Sequence, residues 1–212
     1  MSVGRGVRAQ SQHGPLADAN HVGGVAFDGE LVWVACGSEL RGLDPDSGEE
    51  VRRLNVPAGA GTAFDGRHLY QVGGGRIRKI DPSTGDVVHS VPVPPGGDDA
   101  GLTWAEGYLW LGKFRGGKIL KLDPQTGEVL RTIEAPEYVT GVAWSGTGLW
   151  HAVDPPDEAA TLRRIDPETG AELESYTLEG SAPVTGVSLA KGRLFCGNGS
   201  AKTVREFVRD DR

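Results

Sequence analysis

One sequence unit of about forty residues recurs five times along this chain of 212 residues. Each copy starts with a glycine, has Phe, Trp or Leu three positions later, and then a second glycine. The five initial glycines, called the signature glycines below, are Gly24, Gly61, Gly101, Gly141 and Gly186. They are 37, 40, 40 and 45 residues apart, a period typical of the blades of a β-propeller.

Each unit contains short runs that alternate apolar and polar residues, as the strands of an antiparallel sheet do. Between the third and fourth runs, four units carry the turn sequence Asp-Pro-x-Ser/Thr-Gly, at residues 44–48, 81–85, 123–127 and 166–170. In such a turn Pro fixes φ at the first corner and Gly takes the left-handed position. Four strands make one blade, so the sequence predicts an all-β, five-bladed β-propeller with four antiparallel strands per blade.

Aromatic residues occupy two positions that the units share. The first position, on the second run, holds Trp33, Tyr70, Trp110, Trp150 and Phe195. The second position, three residues after the signature glycine, holds Phe27, Phe64, Trp104, Trp144 and Leu189. Because these residues recur in every unit, we expect both sets to pack between neighbouring blades rather than to stack on a ligand.

The fifth unit ends after its third run, at residues 202–208, and leaves a strand edge without a partner. Residues 2–10, where Val3, Val7 and Ala9 alternate with polar residues, match the missing fourth strand. We therefore expect the N-terminal strand to close the last blade, which removes the exposed edge. The chain is predicted to be one domain, 1–212, with blades at about 20–57, 58–95, 96–136, 137–180, and 181–212 together with 1–12.

The net charge of −7 and a pI near 5.3 argue against a nucleic acid or an anionic membrane as partner, since either would require a basic surface. No apolar run follows the N-terminus, so a secretory signal is not expected. Two cysteines, Cys36 and Cys196, are too few to staple a domain of this size, and we expect reduced thiols. These features predict a cytoplasmic protein, which we expect to be a monomer; the expected ligand, a small molecule, follows from the features below.

Function is expected where the repeat is broken, because shared positions build the scaffold. The loops that enter the innermost strands end in small residues, which would leave an opening on the propeller axis. Polar and aromatic side chains are predicted around its rim, and the sequence offers His21, Asp98, Asp99, Glu137 and Tyr138. We expect His21, Asp98, Asp99 and Tyr138, together with Lys113 from a loop of the third unit, to bind the ligand.

His151 breaks the repeat on a strand, since the other units have Val34, Gln71, Leu111 and Cys196 at this position. With Asp154 three residues later and Glu137 in the same unit, His151 could supply a general base or metal ligands. These three residues are the predicted catalytic group, and a divalent metal is possible as a cofactor. The alternative is that the carboxylates are solvated turn residues and that His151 packs in the core.

The segment from Gly141 to Gly170, G-V-A-W-S-G-T-G-L-W-H-A-V…L-R-R-I-D-P-E-T-G, resembles a blade of the bacterial and plant type of glutaminyl cyclase. The resemblance extends over all five units and includes the wider group of streptogramin lyase, gluconolactonase-like and Tyr-Val-Thr-Asn repeat propellers. It implies a five-bladed propeller enzyme of the cyclase, lyase or lactonase type, with its pocket on the axial face.

The chain also departs from the cyclase pattern. The cyclases have Gln and Glu where the first two units here read Val22-Gly23-Gly24 and Gly59-Ala60-Gly61. They have a Glu-Ser-Thr-Gly segment where this chain reads Val34-Ala-Cys-Gly37, so the acid/base residue of the family is absent at that position. Two hypotheses follow: a small-molecule enzyme with a different proton-transferring group, or a noncatalytic propeller that binds a ligand or a protein.

Overall fold

The computed structural model describes residues 5–136, 138–179 and 183–208. Within these residues the chain forms twenty strands and no helix. In chain order the strands are β1 (Arg5–His13), β2 (Val25–Phe27), β3 (Val32–Ala35), β4 (Leu40–Leu43), β5 (Glu50–Leu54), β6 (Thr62–Phe64), β7 (Leu69–Gly73), β8 (Arg76–Ile80), β9 (Val87–Pro92), β10 (Asp99–Ala105), β11 (Tyr108–Lys113), β12 (Lys118–Leu122), β13 (Val129–Glu134), β14 (Val139–Trp144), β15 (Leu149–Val153), β16 (Thr161–Ile165), β17 (Glu172–Glu179), β18 (Gly186–Ala190), β19 (Arg193–Asn198) and β20 (Thr203–Val208).

Three sheets in the described part of the chain have four strands each, in sequential order: β2–β5, β6–β9 and β10–β13. The fourth sheet has eight strands in the order β14-β15-β16-β17-β1-β20-β19-β18. Strands that follow one another within β2–β5, β6–β9, β10–β13, β14–β17 and β18–β20 pair antiparallel, as the alternating pattern predicts. The all-β prediction with four-stranded antiparallel sheets is therefore confirmed.

The N-terminal strand β1 joins the two halves of the eight-stranded sheet. Residues Arg5 to Arg8 pair in parallel with β17, and the second half of β1, from Ala9 to His13, pairs antiparallel with β20. The predicted closure of the last unit by the N-terminal strand is confirmed, although β1 extends three residues beyond the predicted end. The additional parallel pairing with β17 was not predicted from the sequence. Residues 1–4, including Val3, lie outside the described residues.

The four Asp-Pro-x-Ser/Thr-Gly turns are held by the side chain of their first residue. In the first turn, Asp44 Oδ1 accepts hydrogen bonds from the backbone N–H groups of Asp46 (3.0 Å) and Ser47 (2.7 Å). Those bonds, together with one from the Ser47 hydroxyl, hold the pKa of the Asp44 carboxyl below its ordinary value. In the other three turns backbone N–H groups likewise donate to Oδ1 of the first Asp, so these aspartates are structural.

The innermost strands contact one another in the cyclic order β2, β6, β10, β14, β18 and back to β2. The signature glycines lie where their backbones come closest. A Cβ on Gly24 would lie 2.5 Å from Thr62 N in the next innermost strand, and one on Gly186 would lie 2.7 Å from Gly23 O. Only glycine permits this approach, which explains why the residue recurs in all five units.

Within the described residues there are five clusters of buried apolar side chains, and each lies between two neighbouring repeat units. The aromatic residues of the second strands fill them: Trp33, Tyr70, Trp110, Trp150 and Phe195 are each at most 3% exposed. The prediction that these residues form the core is confirmed.

The aromatic set on the innermost strands behaves differently. Trp104 and Trp144 are only half-buried, and each packs on a cluster with part of its ring. Trp104 stacks on Tyr70 with the ring centroids 5.3 Å apart. Trp104 and Trp144 thus pack on the core as expected, and each also lines a cavity described below.

Both cysteines are buried and free, as expected, and they belong to two different clusters. Burial raises the pKa of the Cys36 thiol to about 11, and it also raises the pKa of Cys196. Thiols of this kind react slowly, because the thiolate is the nucleophile. Cys36 and Cys196 therefore act as small apolar residues.

Candidate functional site

The loops that enter the innermost strands surround an opening on the axis with a volume of about 290 Å³. Its wall is formed largely by backbone and small side chains, including Gly23, Gly59, Ala60 and Ala100. His21, Asp98 and Asp99 line it as predicted. We call this space the axial cavity.

Lys113 lies at the end of β11 and is only 6% exposed. Its ammonium donates hydrogen bonds to Pro94 O (3.1 Å), Gly97 O (3.1 Å) and Asp99 Oδ1 (2.5 Å). All three N–H groups are therefore committed to the loop that enters β10. Lys113 holds this loop in place and does not line the axial cavity, so its predicted contact with a ligand lacks support.

The neighbouring Asp98 takes a left-handed backbone conformation, with φ of +56°. Its carbonyl accepts a hydrogen bond from Phe114 N at 2.7 Å. Unlike Asp99, Asp98 forms no ion pair with another described residue. Its carboxylate is thus the uncompensated negative charge at this side of the axial cavity.

A second and larger cavity, of about 490 Å³, lies beside the axial cavity, and we call it the lateral cavity. The two share Phe114, Thr140 and Thr185, so they are adjoining parts of one concave surface. Tyr138 and Asp154 line the lateral cavity, together with Asp157, Glu158 and three prolines. The structure therefore brings Tyr138 and Asp154 to one cavity, whereas the sequence analysis expected Tyr138 at the rim of the axial opening.

Asp154 follows β15 directly and is held at both its backbone and its side chain. Its N–H donates to Tyr138 O (3.1 Å), and its Oδ2 accepts a hydrogen bond from Val184 N (2.8 Å). Burial raises the pKa of the Asp154 carboxyl, and the bond from Val184 opposes this rise only in part. Oδ1 has no partner among the described residues, which leaves one oxygen available to a ligand.

Tyr138 sits at φ +67° and donates its backbone N–H to Phe114 O at 2.6 Å. The rings of Phe114 and Tyr138 meet edge to face, with centroids 5.4 Å apart. The two rings form an aromatic part of the lining of the lateral cavity, which Asp154 also lines. Apolar surface next to a desolvated carboxylate is the usual environment of an acid/base group.

His151 lies in the middle of β15, between Val142 and Arg163 on the flanking strands. It is 1% exposed, its Nδ1 has no hydrogen-bond partner, and it lines neither the axial nor the lateral cavity. Burial, with a smaller contribution from the charge of Arg163, lowers the pKa of His151 to about 4. The structure thus does not bring His151 to the cavity that Asp154 lines, and Glu137 lies outside the described residues.

Three residues that join the two cavities were not predicted from the sequence: Phe114, Thr140 and Thr185. Thr140 is 8% exposed and its hydroxyl lacks a hydrogen-bond partner, whereas the Thr185 hydroxyl donates to Val22 O at 2.7 Å. A signal for the two threonines existed. Each precedes a signature glycine, where the other units have only Gly or Ala.

Within the residues that the structure describes, no group of three or more His, Cys, Asp or Glu side chains could hold a metal ion. None of the described residues forms a helix that could cross a membrane.

These features define a β-propeller with a concave surface at one end of its axis. The profile of the PQQ_2 family, described as outer membrane protein assembly factor BamB, matches residues 36–202, which is more than half of the chain. The chain belongs to this family. No curated protein matches it.

Solved structures support the fold. The glutaminyl cyclase of Myxococcus xanthus is 18% identical and superposes with a TM-score of 0.74, covering 96% of this chain and 97% of its own. The hydrazine synthase of Kuenenia stuttgartiensis is 16% identical with a TM-score of 0.57, covering 85% of this chain and 56% of its own. At such identities the likeness concerns the fold, and at that level the predicted resemblance to glutaminyl cyclase is confirmed.

Proposed function

We propose that this chain is a five-bladed propeller enzyme that acts on a small molecule in the axial and lateral cavities, with Asp154 as the proton-transferring group. The five signature glycines, the cyclic order of the innermost strands and the five buried clusters all support five blades. The proposed blades are those of the sequence analysis, with β1 as the outer strand of the fifth.

One observation carries the proposal: Asp154 is a partly buried carboxyl with a raised pKa, one anchored oxygen and one available oxygen, in a cavity of about 490 Å³. A raised pKa brings a carboxyl closer to the pH at which it can both accept and release a proton. The bond from Val184 N and the backbone bond to Tyr138 fix its position, as proton transfer requires. Cavities of this size hold small ligands.

Cyclisation of a glutaminyl group, elimination by a lyase and opening of a lactone share one requirement. Each needs a group that removes a proton from the attacking atom or from carbon and returns one to the leaving group. Asp154 can fill this role in the fourth unit, whereas the position in the first unit that carries the Glu of the cyclases holds Val34 here. The substrate is proposed to be a small molecule, and the acidic surface disfavours nucleic acid.

The test compares wild-type protein with Asp154→Asn and with a matched control, Asp157→Asn, which lies in the same cavity. Substrates would be a peptide with N-terminal glutamine, followed by ammonia release, and a panel of γ- and δ-lactones, followed by acid release. We expect Asp154→Asn to lower kcat/KM about 100-fold or more and the control to change it about threefold or less. Because Asp154 must be ionised to act as a base, the rate should rise with pH through a pKa above the ordinary 3.8.

The second candidate is a noncatalytic binding propeller. The observation that favours it is that Lys113 is committed to the scaffold and His151 is remote from the cavity, so Asp154 lacks a second group with a perturbed pKa beside it among the described residues. Saturable binding without turnover by the wild type would establish this candidate. Equal activity of Asp154→Asn and wild type would reject Asp154 as the acid/base group.

A further inference from the structure

A separate cavity of about 260 Å³ lies at the opposite end of the innermost strands from the axial cavity. Its lining follows the innermost strands into the turns after them: all of β2 (Val25–Phe27) and the next residues, Asp28 and Gly29, line it. The axial cavity is lined instead by residues before these strands, such as Gly23. The side chains that matter below are Phe27, Phe64, Trp104, Trp144, Leu189 and Lys191. We call this space the distal cavity.

At the distal cavity, the fifth unit departs from the repeat. Four units place an aromatic ring at the end of the innermost strand, but the fifth has Leu189. The smaller side chain leaves room beside Trp144, where an adjoining cavity of about 320 Å³ opens. Both cavities are lined by Trp144, Leu189, Ala190 and Lys191. The indole of Trp144 therefore has open space on the distal cavity and on its neighbour.

The turns after the innermost strands are also asymmetric. In the first unit Asp28 fills its turn: Oδ1 accepts bonds from Glu30 N (2.8 Å) and Leu31 N (2.7 Å), and Oδ2 accepts one from Trp33 Nε1 (2.6 Å). In the fifth unit the corresponding residue is Ala190, which leaves its turn without a carboxylate. Both oxygens of the Asp28 carboxylate thus already accept hydrogen bonds within the first unit, and they are not available to a ligand.

Lys191 supplies a positive charge at the rim. Its ammonium donates one weak hydrogen bond, to Gly29 O at 3.3 Å, and forms no ion pair with any described residue. The indole N–H groups of Trp104 and Trp144 make no hydrogen bond with the described residues and are not fully buried. The distal cavity thus combines aromatic side chains with one available cation.

We propose that the distal cavity binds a small aromatic carboxylate, with its ring against Trp144 and its carboxylate at the Lys191 ammonium. Offset or edge-to-face contacts between rings stabilise the ring of the ligand, and the charged hydrogen bond to Lys191 orients its carboxylate. The small volume of the cavity suits a ligand of one ring.

The test uses sodium benzoate as the probe and the indole N–H signals of ¹⁵N-labelled protein as the readout. The five tryptophan signals are assigned with Trp104→Phe and Trp144→Phe variants. Benzoate should shift the Trp144 and Trp104 signals saturably and leave those of Trp33 and Trp150 unchanged. Benzamide, which has the ring without the charge, should bind about tenfold more weakly. Acetate and glucuronate should cause no saturable shift.

Two variants locate the site. Lys191→Met should weaken benzoate about tenfold, to the level of benzamide, while Lys118→Met, an exposed lysine of β12, should have no effect. Leu189→Phe restores the aromatic residue of the other units and should abolish binding by filling the space beside Trp144. If Leu189→Phe does not fold, Lys191→Met still decides, since Lys191 lies in an exposed turn.

Benzoate binding that Lys191→Met leaves unchanged, equal binding of benzamide, or stronger binding of glucuronate would each overturn the proposal. Asp154→Asn should bind benzoate normally, because the two sites lie at opposite ends of the axis. Catalysis and benzoate binding are therefore measured on the same variant, and the proposed function and the distal binding site can be rejected independently of each other.

Discussion

Gly101 and Gly59 are the same residue type in two contrasting regions of the ring. At Gly101, in the closely packed centre, a Cβ would lie 2.5 Å from the Cα of Gly141 in the next innermost strand. At Gly59, in a loop at the axial cavity, a Cβ would have nothing within 4 Å. The centre is thus constrained by contacts between blades, whereas the loops are free to carry different residues.

The same contrast separates the charged residues. In the turns between third and fourth strands, the aspartates repeat one set of hydrogen bonds and carry lowered pKa values. In the loop after β15, Asp154 has no counterpart in the other units, and its pKa is raised. Regular positions therefore use a carboxylate to stabilise the fold, while the irregular one leaves it available for chemistry.

The largest expected effect comes from breaking the ring itself. Deletion of residues 1–13 would remove β1 and leave the edges of both β17 and β20 unpaired. The loss should amount to roughly 5 kcal/mol or more, which is comparable to the total stability of many domains. Thermal unfolding followed by circular dichroism measures it, with deletion of residues 1–4 as the control. An unchanged melting temperature after removal of β1 would contradict the closure.

The next effect tests the centre against the loops directly. Gly101→Ala should destabilise the protein by about 3 kcal/mol, because the backbone of β14 must move to admit the methyl group. Gly59→Ala is the matched control and should change stability by no more than about 0.5 kcal/mol. Urea unfolding of both variants gives the comparison. Similar losses in the two would show that the innermost strands are not as closely packed as described.

Much of the regular region could be predicted from the sequence, because a shared residue reports a shared environment. The signature glycines and the aromatic residues of the second strands belong to this class. Asp154 and Tyr138 could also be placed at a cavity, since a residue without counterparts in a loop has no scaffold role to explain it. The repeat thus predicted the fold, and its irregular loops are where the site is proposed.

The rest depends on side-chain surroundings that a repeat does not encode. Lys113 stands out in the sequence, yet the structure commits its ammonium to Pro94, Gly97 and Asp99, which only the folded loop brings together. Trp104 and Trp144 both line the distal cavity, and beside Trp144 the neighbouring unit has Leu189 where the other four units have an aromatic ring. No property of either tryptophan position by itself predicts that space.

His151 differs from the residues at the same position in the other units, yet it lies in the buried core. It gives the smallest of the expected effects. Gln71 occupies the same position in the second unit, where it accepts a bond from the Thr62 hydroxyl (2.6 Å) and donates to Ala60 O and Val72 O. His151 has Val142 in place of that threonine, and its Nδ1 lacks a partner. A polar residue at this position is therefore buried in both units, but it is satisfied only in the second.

Burial makes His151 a source of acid sensitivity. Its pKa is about 4 in the folded protein, against 6.5 ordinarily. As the pH falls below 6.5, the unfolded chain binds a proton that the folded protein does not, so stability decreases until about pH 4. From pH 7 to pH 5 this residue should cost about 2 kcal/mol. In urea unfolding, His151→Leu should lose less stability over that range than wild type by this amount, while His89→Leu, on the outer strand β9, should behave as wild type.

The same variant tests whether His151 takes part in the proposed chemistry. If Asp154 transfers the proton, His151→Leu should keep at least about half of the wild-type kcat/KM at pH 7, because a neutral, buried imidazole that lines neither cavity can be replaced by an apolar side chain. A loss of about 100-fold in a folded His151→Leu protein would instead place His151 in the catalytic group. In that case a buried core position of the fourth unit, and not only its loops, would take part in catalysis.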